Sequence, residues 1–79
     1  DEIRARLNAL NERVQQLMVR LDVAAAEIEL ANLERLAAEG DLWSDAEHAR
    51  ATTRRLTELR DEVSRWRTLE ARIADACEL

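Results

Sequence analysis

Few side chains in this chain of 79 residues can do chemistry, and their spacing decides how much. Asp45 and His48 stand three apart, so on a helix they would share a face and could hold one edge of a metal ion. A structural zinc site wants four ligands, and no second histidine exists, so no metal is expected. Cys77 is the single cysteine, which leaves no internal disulfide; on an apolar stripe it reads as a small buried hydrophobe rather than a reactive thiol. Trp43 and Trp66 are the only aromatic residues. Either could stack on a nucleobase, but such platforms sit in basic grooves, whereas Trp66 falls on an apolar seam and Trp43 in a turn. Arg50, Arg54 and Arg55 form the densest basic patch, read first as a solvated helix face and second as a contact for an acidic partner or RNA. There is no glycine-rich phosphate loop and no Ser/His/Asp arrangement in an enclosing fold. The expectation is a non-enzyme with no catalytic residue, no cofactor and no metal.

The elements that must position these residues are helices. One glycine, no proline, and charged residues at 37% beside hydrophobic ones at 47% is the composition of long helices. All 12 basic residues are arginine, and the net charge of −5 argues against a broad nucleic-acid surface, so no direct DNA contact is expected. No apolar run approaches a membrane span, and the N-terminus lacks a basic-then-apolar targeting pattern; a soluble, cytoplasmic protein without a membrane partner is expected.

The chain must turn at Gly40-Asp41-Leu42-Trp43-Ser44. Gly40 is the strongest stop signal available. Ser44 with Glu47 three residues on predicts a capping box, and Trp43 with His48 a hydrophobic staple that fixes the entry angle of the next helix. Before the turn, Ile3, Leu7, Leu10, Val14, Leu17 and Leu21 alternate steps of four and three, a heptad seam. The phase breaks at Leu21-Asp22-Val23, and Asp22 is a good N-cap, so one helix is expected over about residues 2–21 and a second over 23–39, joined by an end or a sharp kink. After the turn at 40–44, a third helix over about 45–78 carries Ala49, Thr52, Leu56, Leu59, Val63, Trp66, Ile73 and Cys77 on its seam. Glu70 interrupts, and Leu69 beside it is expected to fill the gap. Arg54 with Glu58, and Asp61 with Arg65, are expected as ion pairs at i,i+4. The two short helices, about 29 and 25 Å, add up to the long one at about 50 Å. The fold class is therefore all-α: a long antiparallel, coiled-coil-like hairpin, helices 1 and 2 stacked end to end against helix 3, preferred over a compact three-helix bundle. Met18, Val19, Ile28, Leu36, Leu42 and Leu69 lie off the seam and would face a further helix or, in the isolated chain, a second copy, so a homodimer is expected. Asp41, Leu42, Arg50 and Arg54 are the candidates for a partner contact.

The string Leu21-Asp22, then Leu30 and Leu33, then Asp41-Leu42-Trp43-Ser44-Asp45-Ala46-Glu47 and Ala49 resembles the N-terminal domain of bacterial peptide chain release factor 2. The tryptophan favours that family over release factor 1, while Gly40 and Ala46 stand where the family commonly has proline. The resemblance implies that residues 1–79 are one helical domain of a larger translation termination factor, whose remaining helix would follow Leu79. It implies a non-catalytic role in docking on the ribosome, at the stalk base of the large subunit, with the codon-reading and Gly-Gly-Gln loops in later domains. The competing expectation is a generic coiled-coil interaction or scaffold segment.

Overall fold

The computed structural model describes residues 1–78 and, at Leu42, the backbone alone. Three helices follow one another: α1 (Glu2–Arg20), α2 (Val23–Ala37) and α3 (Ala46–Glu78), with a 3₁₀ turn over Gly40–Ser44 between the last two. The long α3 folds back along α1 and α2, which touch it far more than they touch each other. The result is a hairpin 59 Å long and 23 by 14 Å across, not a compact bundle. Among the described residues there is no strand.

Caps set where the first two helices begin. The Asp1 carboxylate accepts from the Arg4 N–H at 2.9 Å and opens α1. At the first junction Asp22 takes φ 53°, ψ 53°, the only non-glycine residue with positive φ among the described residues. Aspartate tolerates this left-handed conformation better than most residues, and its Oδ1 accepts from the Ala25 N–H at 3.2 Å. One residue thus ends α1 with its backbone and starts α2 with its side chain. The break rotates the chain so that Val23, Leu30, Leu33 and Ala37 keep facing α3, while Leu36 stays exposed.

The seam of α3 lies where the spacing places it: Ala49, Thr52, Leu59 and Ile73 are buried, and Leu56, Val63, Trp66 and Cys77 half-buried. The seam of α1 needs correction. Leu7 and Val14 face inward, but so does Met18, only 5% exposed, whereas Leu10, Leu17 and Leu21 are 46%, 36% and 51% exposed and Ile3 more so. The inward arc is shifted to Leu7, Asn11, Val14, Gln15 and Met18. A straight helix has 3.6 residues per turn, so a strict 3.5 repeat drifts off the contact line by about 20° per heptad, and one edge of the repeat is left outside. The core forms from Val14, Met18, Val23 and Ile73, with Trp66 and Cys77 packed against it. Cys77 is accordingly a packing residue, its Sγ 3.9 Å from Asn8 Oδ1.

Glu70 also departs from expectation. It remains on the seam, half-buried, and accepts from Gln15 Nε2 at 2.7 Å and from Arg67 Nη1 at 2.9 Å. Arg67 in turn reaches Glu27 of α2, its Nε donating at 3.1 Å. A carboxylate with charge-assisted partners can sit at a half-buried position without an orphaned lone pair, so Leu69 is not needed to fill the gap and stays exposed. The surface pairs differ as well. Among the described residues neither Arg54–Glu58 nor Asp61–Arg65 forms. Arg55 instead grips Glu29 across the hairpin with two bonds, Nε to Oε1 at 3.0 Å and Nη2 to Oε2 at 2.9 Å, a fork that a single-point i,i+4 contact does not match.

Candidate functional site

The turn end of the hairpin gathers most of the residues singled out for partner contact. Helix α2 closes with the Ala38 N–H on the carbonyls of Glu34 and Arg35 at 3.2 Å and the Glu39 N–H on Leu36 at 3.1 Å; Glu39 then swings to extended backbone at φ −82°, ψ 135°. Gly40 follows without a positive φ and with open space where a Cβ would stand, so the turn does not use the conformational freedom of its glycine. The residue that needs a left-handed backbone is Asp22, at the other junction.

The expected capping box is displaced. Ser44 is still inside the 3₁₀ turn, and its hydroxyl donates to the Asp41 carbonyl at 2.7 Å. The cap of α3 is Asp45, extended at φ −113°, ψ 103°, whose Oδ1 accepts from the N–H groups of Glu47 at 3.1 Å and His48 at 3.2 Å. A carboxylate is drawn to the positive end of a helix more strongly than a hydroxyl, and Glu47 is left as an exposed residue of the first turn rather than half of a reciprocal box.

Trp43 is the residue whose role the spacing misplaces most. Instead of stapling His48, which is exposed, its indole Nε1 donates to the Ala37 carbonyl at 2.9 Å. That carbonyl belongs to the last turn of α2, where backbone acceptors have no partner within the helix. The tryptophan therefore ties the end of α2 to the turn by a hydrogen bond. The signal available in the sequence was chemical rather than positional, since an indole N–H that packs against protein needs an acceptor.

Trp43, 53% exposed, forms one wall of a shallow groove of about 490 Å³ along the first turns of α3, bounded also by Ala49, Arg50, Thr53, Arg54, Thr57 and Glu58. Arg50 and Arg54 make no ion pair among the described residues. Asp41 is exposed in the turn but does not line the groove, and the side chain of Leu42 lies outside the described residues. The other tryptophan, Trp66, packs on the core.

The titrating groups that shift do so for structural reasons. Hydrogen bonds from Arg67 hold Glu27 below the ordinary glutamate value of 4.5, and those from Arg55 do the same for Glu29. Glu70 is lowered first by Gln15 and then by Arg67. Each shift favours the charged, paired form, the opposite of what a proton-transferring carboxyl would need at neutral pH. Among the described residues no three or more His, Cys, Asp or Glu converge on a metal position, and no helix is long and apolar enough to cross a membrane. The turn end thus presents a largely apolar wall flanked by Arg50, Arg54 and Glu58.

Eight curated proteins match the chain, all of them peptide chain release factor 2. The protein of Thermomicrobium roseum is 40% identical over 73 residues, 92% of this chain and 20% of that protein. Those of Chloroflexus aggregans and Frankia casuarinae are 35% and 38% identical over 78 and 73 residues, covering 99% and 84% of this chain and 21% and 20% of theirs. The matched part is the N-terminal region, so the chain spans about a fifth of the length of these relatives. No family model matches it, and no solved structure does.

Proposed function

We propose, from the premise that the chain belongs to the N-terminal region of the peptide chain release factor 2 family, that it is a non-catalytic helical domain of a translation termination factor and serves to dock that factor on the ribosome. The observation that carries this is the 40% identity over 92% of the chain, on a hairpin whose turn end presents an open groove. The partner is the ribosome, reached through the parent protein at the stalk base of the large subunit, and the setting is the cytoplasm. Release chemistry belongs to other parts of the parent. Deleting residues 1–79 from the parent factor should weaken its binding to ribosomes halted at a stop codon and leave single-turnover peptide release at saturating factor nearly unchanged. A fall in that saturated rate by orders of magnitude at constant affinity would overturn the docking role.

In isolation the chain is expected to pair with a second copy. Val19, Ile28, Leu36 and Leu69, expected off the seam, are exposed, as are Leu10 and Leu17 of α1 and Leu21 just after it, and a neighbour would cover some of them. Met18, expected on that outer surface, is instead part of the core and is not available to it. Sedimentation equilibrium over a hundredfold concentration range should show a monomer–dimer equilibrium; a monomer mass throughout would refute the pairing.

A further inference from the structure

Helix α1 has two faces it could turn to α3, and it buries the more polar one. Ile3, Leu10, Leu17 and Leu21 form an apolar stripe that stays exposed, while Asn11 and Gln15 turn inward beside Leu7, Val14 and Met18. At about 100° per residue the two arcs are centred roughly 80° apart around the helix. The drift of a heptad repeat spreads the stripe, but it gives no reason to prefer an asparagine and a glutamine to two leucines. Burial of apolar area favours the opposite choice.

The reason lies on α3. Glu70 occupies a seam position, half-buried, and both of its oxygens are taken: Oε2 accepts from Gln15 Nε2 at 2.7 Å and Oε1 from Arg67 Nη1 at 2.9 Å. Arg67 is itself held by Glu27 of α2, so the carboxylate is fixed from the side away from α1. Turning α1 far enough to seat Leu10 and Leu17 on α3 would carry Gln15 off the contact line and leave Glu70 Oε2 beside leucines with no donor. Such a loss is costly, because a desolvated charge has no water to replace the missing bond. In the observed rotation, among the described residues, no buried side-chain nitrogen or oxygen lacks a partner.

We infer that Gln15 and Glu70 form a rotational lock: the pair selects which face α1 turns to α3 and thereby holds Leu10, Leu17 and Leu21 at the surface. A polar pair of this kind gives up some stability to fix one arrangement among several of similar apolar content, as a single polar residue does in the seam of a coiled coil. Both are positioning residues, and their effect is to keep an apolar stripe open that the hairpin would otherwise close on itself. The rotation of α1 is independent of ribosome docking, and failure of the lock would leave that reading standing.

The test compares the parent chain with the double variant Gln15→Leu, Glu70→Leu and with Glu70→Gln, whose amide can still bond to Gln15. Met18 is the single methionine, so its methyl signal in a ¹³C-methyl-labelled sample is unambiguous. In the parent chain that methyl should show nuclear Overhauser contacts with Ile73 and resist relaxation by a soluble gadolinium chelate, as befits a side chain 5% exposed. In the double variant its relaxation should rise severalfold and its contacts with Ile73 fade, while the methyls of Leu10 and Leu17 gain contacts with Ile73 and Trp66. Glu70→Gln should keep the parent pattern. If the double variant associates too strongly to be read, Glu70→Leu alone gives the same answer, since it removes the carboxylate that Gln15 must satisfy. The inference is overturned if Met18 keeps its contacts with Ile73 in both leucine variants, which would give control of the rotation to the Asp22 junction, or if Glu70→Gln exposes Met18 as much as the double variant does.

Discussion

The half of the hairpin around the Asp22 break and the half toward the turn are held together differently. Around the Asp22 break, Val14, Met18, Val23 and Ile73 interlock under Trp66 and Cys77, and the chain Gln15–Glu70–Arg67–Glu27 binds all three helices across one side. Toward the turn, among the described residues, Leu59 is the one large side chain fully buried; the other buried positions are Ala49 and Thr52, and the cross-helix connection is the exposed Arg55–Glu29 fork. Burial stabilises roughly in proportion to apolar area, so small residues let the helices approach closely while contributing little each. Cohesion is concentrated around the break, and the turn end, with few deep contacts, presents its surface outward.

The largest effect should come from emptying the dense half. Ile73→Ala removes a side chain from the middle of the cluster and is expected to cost about 2–5 kcal/mol, enough to abolish most of the helical circular dichroism of a chain this small. Thr52→Ala, near the turn, should leave the melting profile close to that of the parent; equal losses at the two sites would erase the distinction between the halves.

A smaller effect is expected at the entrance to α3. Asp45→Ala should cost about 0.5–2 kcal/mol, the usual loss for an N-cap carboxylate. Ser44→Ala loses only a hydroxyl bound to the Asp41 carbonyl and should cost less. Thermal melts rank the two, and a Ser44 variant weaker than the Asp45 variant would move the cap back to the serine. Hydrogen exchange adds a sharper reading, since faster exchange after Asp45→Ala should stay within the first turns of α3 and spare the cluster around Ile73.

The smallest effect is that of acid. Glu27, Glu29 and Glu70 are all held below 4.5 in the folded chain by their donors. A carboxylate with a depressed folded pKa stabilises the fold above its unfolded value and loses that contribution as pH falls through the folded value. The melting midpoint should therefore be flat near neutrality and decline below about pH 4.5. Glu29→Gln should shrink the decline without abolishing it, because the Glu27 and Glu70 pairs remain in the other half. A midpoint that rises on acidification would mean that these contacts are absent in solution.

The sequence by itself determined whatever one segment decides locally. Composition and the 3-and-4 spacing of apolar residues specify an all-α hairpin, and the seam of α3 is legible from Ala49 to Cys77 because a long helix samples its period many times. Asp22 is legible as a junction because a phase change and a capping residue coincide there. Trp43, Arg50 and Arg54 could be singled out as residue types, but not as the walls of one groove. Tertiary structure decided every choice between near-equivalent local options. On α1, Leu17 and Met18 are adjacent and equally apolar, and only the position of α3 selects the methionine for the core. On the surface, Arg54 and Arg55 are equally free to pair along α3, and Glu29, 26 residues away, captures the second. Glu70 stays on the seam because Gln15, 55 residues distant, reaches it. Trp43 finds the Ala37 carbonyl only once the turn has folded back on the end of α2. The physical reason is common to all four: the periodicity of one helix fixes which residues can share a face, but the rotation of that helix about its axis is set by a partner from a distant part of the chain.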